Sequence, residues 1–119
     1  MKIYKNKIFQ IHNLNQIDIL KEKFPNQNLN LIHPYRFLAI QGPLIAKILN
    51  QYISKKKKMI YIADVFTNVG LSIILMDLNI KNLSISTNLN KELIKKIQSL
   101  ADIRGVNIYF TEKLEFVSL

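Results

Sequence analysis

Asp64 is the acidic side chain of this sequence most favourably placed for chemistry. It lies within MIYIADVFTNVGLSIILMDL, Met59 to Leu78, where an apolar run ends in a carboxylate. A polar turn with one glycine and a second apolar run follow. A strand ending this way beside a helix start can present a general base, a metal ligand or a phosphate-accepting group. The same carboxylate can instead accept N–H bonds from the turn and gain from the following helix N-terminus. Acid–base work by a pair, or a two-metal site, needs carboxylates converging on one point. Asp18, Glu22, Asp77, Glu92, Asp102, Glu112 and Glu115 fall mostly inside or behind helices. Asp64 therefore has no evident partner, and the pattern favours a capping role over a catalytic one.

Other chemistries are poorly provided for. The chain has no cysteine, which excludes disulfides, thiol nucleophiles and thiolate metal clusters. His12 and His33 both fall at strand ends, but two histidines without a third ligand in fixed spacing do not define a metal site. Ser72, Ser84 and Ser86 lie in or beside apolar runs, none in a GxSxG elbow. Gly42, Gly70 and Gly105 are too far apart for a dinucleotide or phosphate-binding loop. No cofactor is expected. The TNVG turn offers a helix N-terminus to a small anion. The expected ligand set is then Asp64, Thr67, Asn68 and Gly70, with Thr87 and Asn88 nearby. If Asp64 is catalytic instead, Thr67 or His12 would support it.

The formal net charge of +9 suggests an acidic partner, but its make-up argues against nucleic acid. Fifteen of the seventeen basic residues are lysine, and only Arg36 and Arg104 offer the fork that reads phosphates and bases. Ile, Lys and Asn supply 48 of 119 residues, the bias expected of an AT-rich genome. The run Lys55 to Lys58 follows a helix C-terminus, where cations are favoured, and guards an apolar strand against aggregation.

The elements that position these residues alternate. Lys7 to His12 reads as a strand, and Asn13 or Asn15 caps a helix through Leu14, Ile17, Leu20 and Phe24 that Pro25 stops. Leu29 to His33 is a second strand. PYRFLAIQG, holding Pro34 and Gly42, reads as a loop or single turn closing over the core. Pro43 opens a helix with Leu44, Ile45, Ile48, Leu49, Tyr52 and Ile53 on its apolar face. Met59 to Val65 is a near-continuous apolar strand, as in a strand covered on both faces. A helix over about Asn68 to Asn79 and a strand over Asn82 to Ser86 follow. Thr87 or Asn88 caps a helix ending at Gly105, then Val106 to Phe110 forms a fifth strand. The tail EKLEFVSL reads as an edge strand with Leu114, Phe116 and Leu119 on one side.

Strict alternation predicts one α/β domain spanning 1–119. The expected form is a three-layer sandwich: a mainly parallel five-stranded sheet, helices on both faces, flavodoxin-like or half-Rossmann, with the third strand central. Ligands of such sheets bind beyond the carboxyl ends of the strands. There the polar rim is His12, Asn13, His33, Tyr35, Arg36, Asp64, Thr67, Asn68, Ser86, Thr87, Asn88, Thr111 and Glu112.

The helix VGLSIILMDLNI is apolar on nearly every side. Such a helix is buried all round, which predicts an interface with a second copy through Leu71, Ile74, Leu75 and Leu78, in a homodimer. Alternatively, the C-terminal tail folds over it. No apolar run is long enough for a membrane span, and the start, MKIYKNKIFQIHNLNQ, lacks the apolar core of a signal peptide. The expected setting is cytoplasmic.

Asp64 and Thr87 sit where the receiver domain of response regulators has its phosphorylatable aspartate and its Thr or Ser. The acidic pair after the first strand is replaced by His12-Asn13, and the Lys-Pro after the fifth by TEK, so no magnesium site results. From His33 onward, FLAIQGPLIAKIL, IADVFTNVGLSIILMDLNIKNLSIS and LADIRGVNIYF are similar to short uncharacterised α/β proteins of alphaproteobacteria. Where those carry a Cys-Gly-Asp-like turn, this chain reads VFTNVG. The resemblance implies the α/β fold and a bacterial, cytoplasmic setting, and no activity. The expected function is a non-enzymatic binding or protein-interaction module, with a small anionic ligand as its possible cargo. The alternatives are a small enzyme using Asp64 and a domain like the anti-sigma-factor antagonists. The latter requires an antiparallel N-terminal hairpin.

Overall fold

Short runs rich in Ile, Leu, Phe and Tyr pair here as strands because each buries alternate side chains on opposite sides of a sheet. The computed structural model describes residues 7–117. Its strands are β1 (Lys7–Gln10), β2 (Leu29–His33), β3 (Met59–Phe66), β4 (Asn82–Ile85), β5 (Asn107–Phe110) and β6 (Phe116–Val117). Its helices are α1 (Leu14–Lys23), α2 (Tyr35–Gln41), α3 (Pro43–Ser54), α4 (Val69–Asp77) and α5 (Lys91–Arg104). The strands form one sheet in the order β5-β4-β3-β2-β1-β6. Every neighbouring pair is parallel. The α/β class and the parallel sheet are as expected, compatible with a Rossmann- or flavodoxin-like sandwich. The sheet has six strands rather than five, because the C-terminal tail adds β6 beside β1.

The helices are distributed differently from expectation. One large core joins Phe9, Leu31, Tyr61, Val65, Leu83 and Ile85 of the sheet to residues of all five helices, among them Leu20, Leu38, Leu49, Leu75 and Ile97. On the other face Ile8, Ile32, Ile62 and Tyr109 cluster with Leu114, and no helix contributes. The physical reason is the strand order. From β1 to β5 each strand is added on the same side of its predecessor, and right-handed crossovers then place every helix on one face. The path from β5 to β6 runs back across the sheet, so the same handedness puts it on the opposite face. That return segment holds one 3-10 turn, Thr111–Lys113. The tail thus covers the helix-free face and not α4. Leu119 lies outside the described residues.

Local signals explain most element ends. Asn13, Asn68 and Asn90 each cap a helix by accepting a backbone N–H three residues on. The last replaces Thr87 or Asn88 as the cap of α5. Gly105, at φ 67°, ends α5 in the left-handed region. The segment read as a loop is helix α2. Pro34 precedes its first turn, and Gly42, at φ 87°, both ends α2 and precedes Pro43 of α3.

Among the described residues no helix is long and apolar enough to cross a membrane. β1 and β2 pair in parallel, so they do not form the antiparallel hairpin of an anti-sigma-factor-antagonist-like domain.

Candidate functional site

Asp64 stands on the helix-free face near the carboxyl end of β3, one residue from an irregularity in the ladder with β4. Phe66 turns the chain there at φ 54°. Its N–H donates to Asp64 Oδ1 at 3.0 Å. The Ser84 hydroxyl of β4 donates to the same oxygen at 3.1 Å, and the Thr111 hydroxyl beyond β5 at 2.9 Å. The Tyr35 N–H after β2 also donates to this carboxyl group. One side chain thereby ties together four segments. Burial raises the Asp64 pKa above its ordinary value even though these hydrogen bonds pull it down. No group of three or more metal-ligating side chains occurs among the described residues.

The two histidines belong to the helix side, where they do not converge on a metal. His33 is fully buried. Its Nε2 lies 2.6 Å from Gln41 Oε1, while Gln41 Nε2 donates to the His12 carbonyl at 2.9 Å. Because that Gln41 oxygen can only accept, His33 carries its proton on Nε2. Nδ1 then accepts from the Tyr61 hydroxyl at 2.7 Å. Burial pushes the Tyr61 pKa up, which keeps it a donor. His12 instead stacks on Phe37, with ring centroids 4.1 Å apart.

Burial lowers the His33 pKa, against the raising effect of Gln41. The unfolded chain therefore binds a proton below its ordinary value of 6.5 that the native state resists. Stability due to His33 is complete above that pH and is lost as pH falls toward the depressed value, by up to about 1.4 kcal/mol per pH unit. Urea unfolding between pH 7 and 5 should show this fall, and His33→Gln should flatten it. An unchanged slope in the variant would assign the acid sensitivity elsewhere.

Of the remaining expected ligand groups, Asn68, Thr87 and Asn88 are engaged internally. Asn68 Oδ1 accepts from Leu71 N–H at 3.0 Å, and its amide donates to Tyr35 Oη at 3.2 Å. The Glu112 carboxylate accepts from Ser86 Oγ at 2.5 Å and from Thr87 N–H at 2.9 Å. Asn88 N–H donates to Ser86 Oγ at 3.0 Å. Burial works against the charge on Glu112, but these donors prevail and hold its pKa below the usual value. An internal anion already occupies the Thr87 donor. Thr67 is exposed beside them. A Cβ on Gly70 would meet only Asn68 Oδ1, at 3.6 Å, so no close approach demands glycine there.

Two features escape the sequence pattern. Arg36, in the first turn of α2, lines a cavity of about 190 Å³ together with Asp64, Thr111 and Phe116. On the helix side, Leu71 and Leu75 are buried in the chain's own core, which leaves Ile74 and its neighbour Ile73 exposed on α4. Leu78 packs partly against the core. The interface expected of α4 thus falls to a narrower strip.

No family model matches the chain, and no curated protein or solved structure is significantly similar to it.

Proposed function

We propose that this chain is a non-enzymatic interaction module that pairs with a second copy through the middle of its helical layer. The supporting observation is an exposed aliphatic set on adjoining helices. Ile40 stands in the last turn of α2 at 87% exposure, Leu44 and Ile48 follow on α3 at 61% and 46%, and Ile73 and Ile74 stand on α4. Leu44 and Ile48 are one helical turn apart and form one ridge. α3 packs against α4. Single exposed aliphatics are ordinary, but a group on neighbouring helices is characteristic of contact surfaces.

Charge supports the same location. α3 holds one charged residue, Lys47, and α4 one, Asp77. The flanking helices α1 and α5 carry charges of both signs along their lengths. A two-fold contact over α3 and α4 would cover few of the charges of a +9 chain.

The reading of Asp64 as a catalytic group has less support, because one of its oxygens already accepts three hydrogen bonds. A bacterial, cytoplasmic setting is part of this proposal, resting on composition and the resemblance described above.

Light scattering on a sizing column tests the pairing. The expected mass is twice the 13.9 kDa of one chain, and the double variant Leu44→Lys, Ile74→Lys should run as a single chain. A wild-type mass of one chain at every concentration up to about 100 μM would reject the interface, since even modest affinity shows there.

A further inference from the structure

The return segment does not lie flat on the helix-free face. Thr111 and Phe116 border a partly open cavity of about 190 Å³ near the carboxyl ends of β1, β2 and β3. Phe116 forms one wall, and Ile32 and Pro34 form another. Two opposite charges line this small space, Asp64 and Arg36. They are not paired with each other: among the described residues the ion pair is Arg104 with Asp77.

Arg36 is built to receive a carboxylate. Its Nη2 donates to Gln10 Oε1 at 2.8 Å, and its guanidinium carbon lies 4.7 Å from the centroid of Phe37. Stacking and one hydrogen bond fix the plane of the fork, and its remaining N–H groups have no carboxylate among the described residues. In a chain that uses lysine fifteen times and arginine twice, an arginine held this way stands apart.

Asp64 offers the complement. The Phe66 N–H and the Ser84 and Thr111 hydroxyls all reach Oδ1. A carboxylate has about four lone-pair sites, so Oδ2 can accept a further donor. A cation placed there would be attracted at close range.

We infer that this cavity binds a free α-amino acid with a small apolar side chain, its carboxylate on Arg36, its ammonium on Asp64 and its side chain against Ile32, Pro34 and Phe116. The size agrees. Pockets for drug-sized ligands run from about 300 to 1,000 Å³, so this one excludes nucleotides and suits a molecule of a few heavy atoms. Both ligand charges are required, because an anion alone would face Asp64 and a cation alone would face Arg36.

The test is thermal unfolding with each of the protein amino acids at about 10 mM, where binding to the native state raises the midpoint by mass action. Calorimetry on the best ligand follows, beside its two half-molecules: the amine lacking the carboxylate and the acid lacking the amine. At least one small aliphatic amino acid should raise the midpoint, and each half-molecule should bind at least about tenfold more weakly. Arg36→Met should weaken binding by a similar factor with an unchanged circular dichroism spectrum, since Arg36 is exposed. No shift with any amino acid would overturn the inference. So would equal binding of the half-molecule acid, or full affinity in Arg36→Met.

Discussion

Replacing Asp64 by alanine should lower the unfolding free energy by about 3 kcal/mol. The substitution leaves the Phe66 and Tyr35 N–H groups and the Ser84 and Thr111 hydroxyls without their shared acceptor. A buried donor left unsatisfied costs about 1–3 kcal/mol, and some of these would find water. Removing a desolvated carboxylate offsets part of the loss. Asp64→Asn should cost less, since its oxygen can keep the Oδ1 bonds. The two variants also differ from wild type in pH dependence. The native pKa of Asp64 is raised, so its contribution is fully present below the ordinary value of 3.8 and is lost as pH rises through the native value. Both substitutions should remove that slope. Urea midpoints read these effects, and a loss under about 1 kcal/mol in Asp64→Ala would sink the account of it as a four-way tie.

The second large effect should come from Leu114→Ala, expected to cost about 2–4 kcal/mol. Leu114 is the residue of the return segment that joins the buried cluster on the helix-free face, against Ile8, Ile32, Ile62 and Tyr109. Four strands present apolar side chains there, and no helix covers them. Truncating Leu114 removes a lid as well as a contact, so a fluorescent probe of exposed apolar surface should bind the variant more than wild type. A near-neutral result would mean that Thr111 and Glu112 alone fasten the segment.

The strands were legible because their apolar runs are short and bounded by Asn, Gly, Pro and Lys. α1, α3 and α5 are legible from apolar spacing, with Asn13 capping α1 and Pro43 opening α3. Helix α2 is hidden in the sequence because Pro34 and Gly42 suggest a loop, although one can precede a helix and the other can end it. The single-sided helical layer was not legible. Periodicity reports which residues are buried but not the order in which strands lie side by side, and that order decided the layer. The long partnerships of Asp64 were hidden for a related reason. Ser84 and Thr111 are 20 and 47 residues away and meet it only across the sheet. A backbone-accepting role for Asp64 was foreseeable from the turn that follows it, and the Phe66 N–H fulfils it. The burial of Leu71 and Leu75 shows why an all-apolar helix misleads: α4 has a true inner side, and its outer side is aliphatic too.

The strand order also bears on how the chain reaches this structure. From β1 to β5 each strand pairs only with its immediate predecessor and successor, as units do in a solenoid, so the body can grow by stepwise addition from any starting pair. β6 is different, for it joins β1, placing Val117 beside Phe9. That closure links the two ends of the described chain and has to wait until everything between them is in place. Contacts of such long separation form slowly. Until the tail arrives, the nascent protein carries an open apolar sheet face, and that interval is when it is most exposed to aggregation.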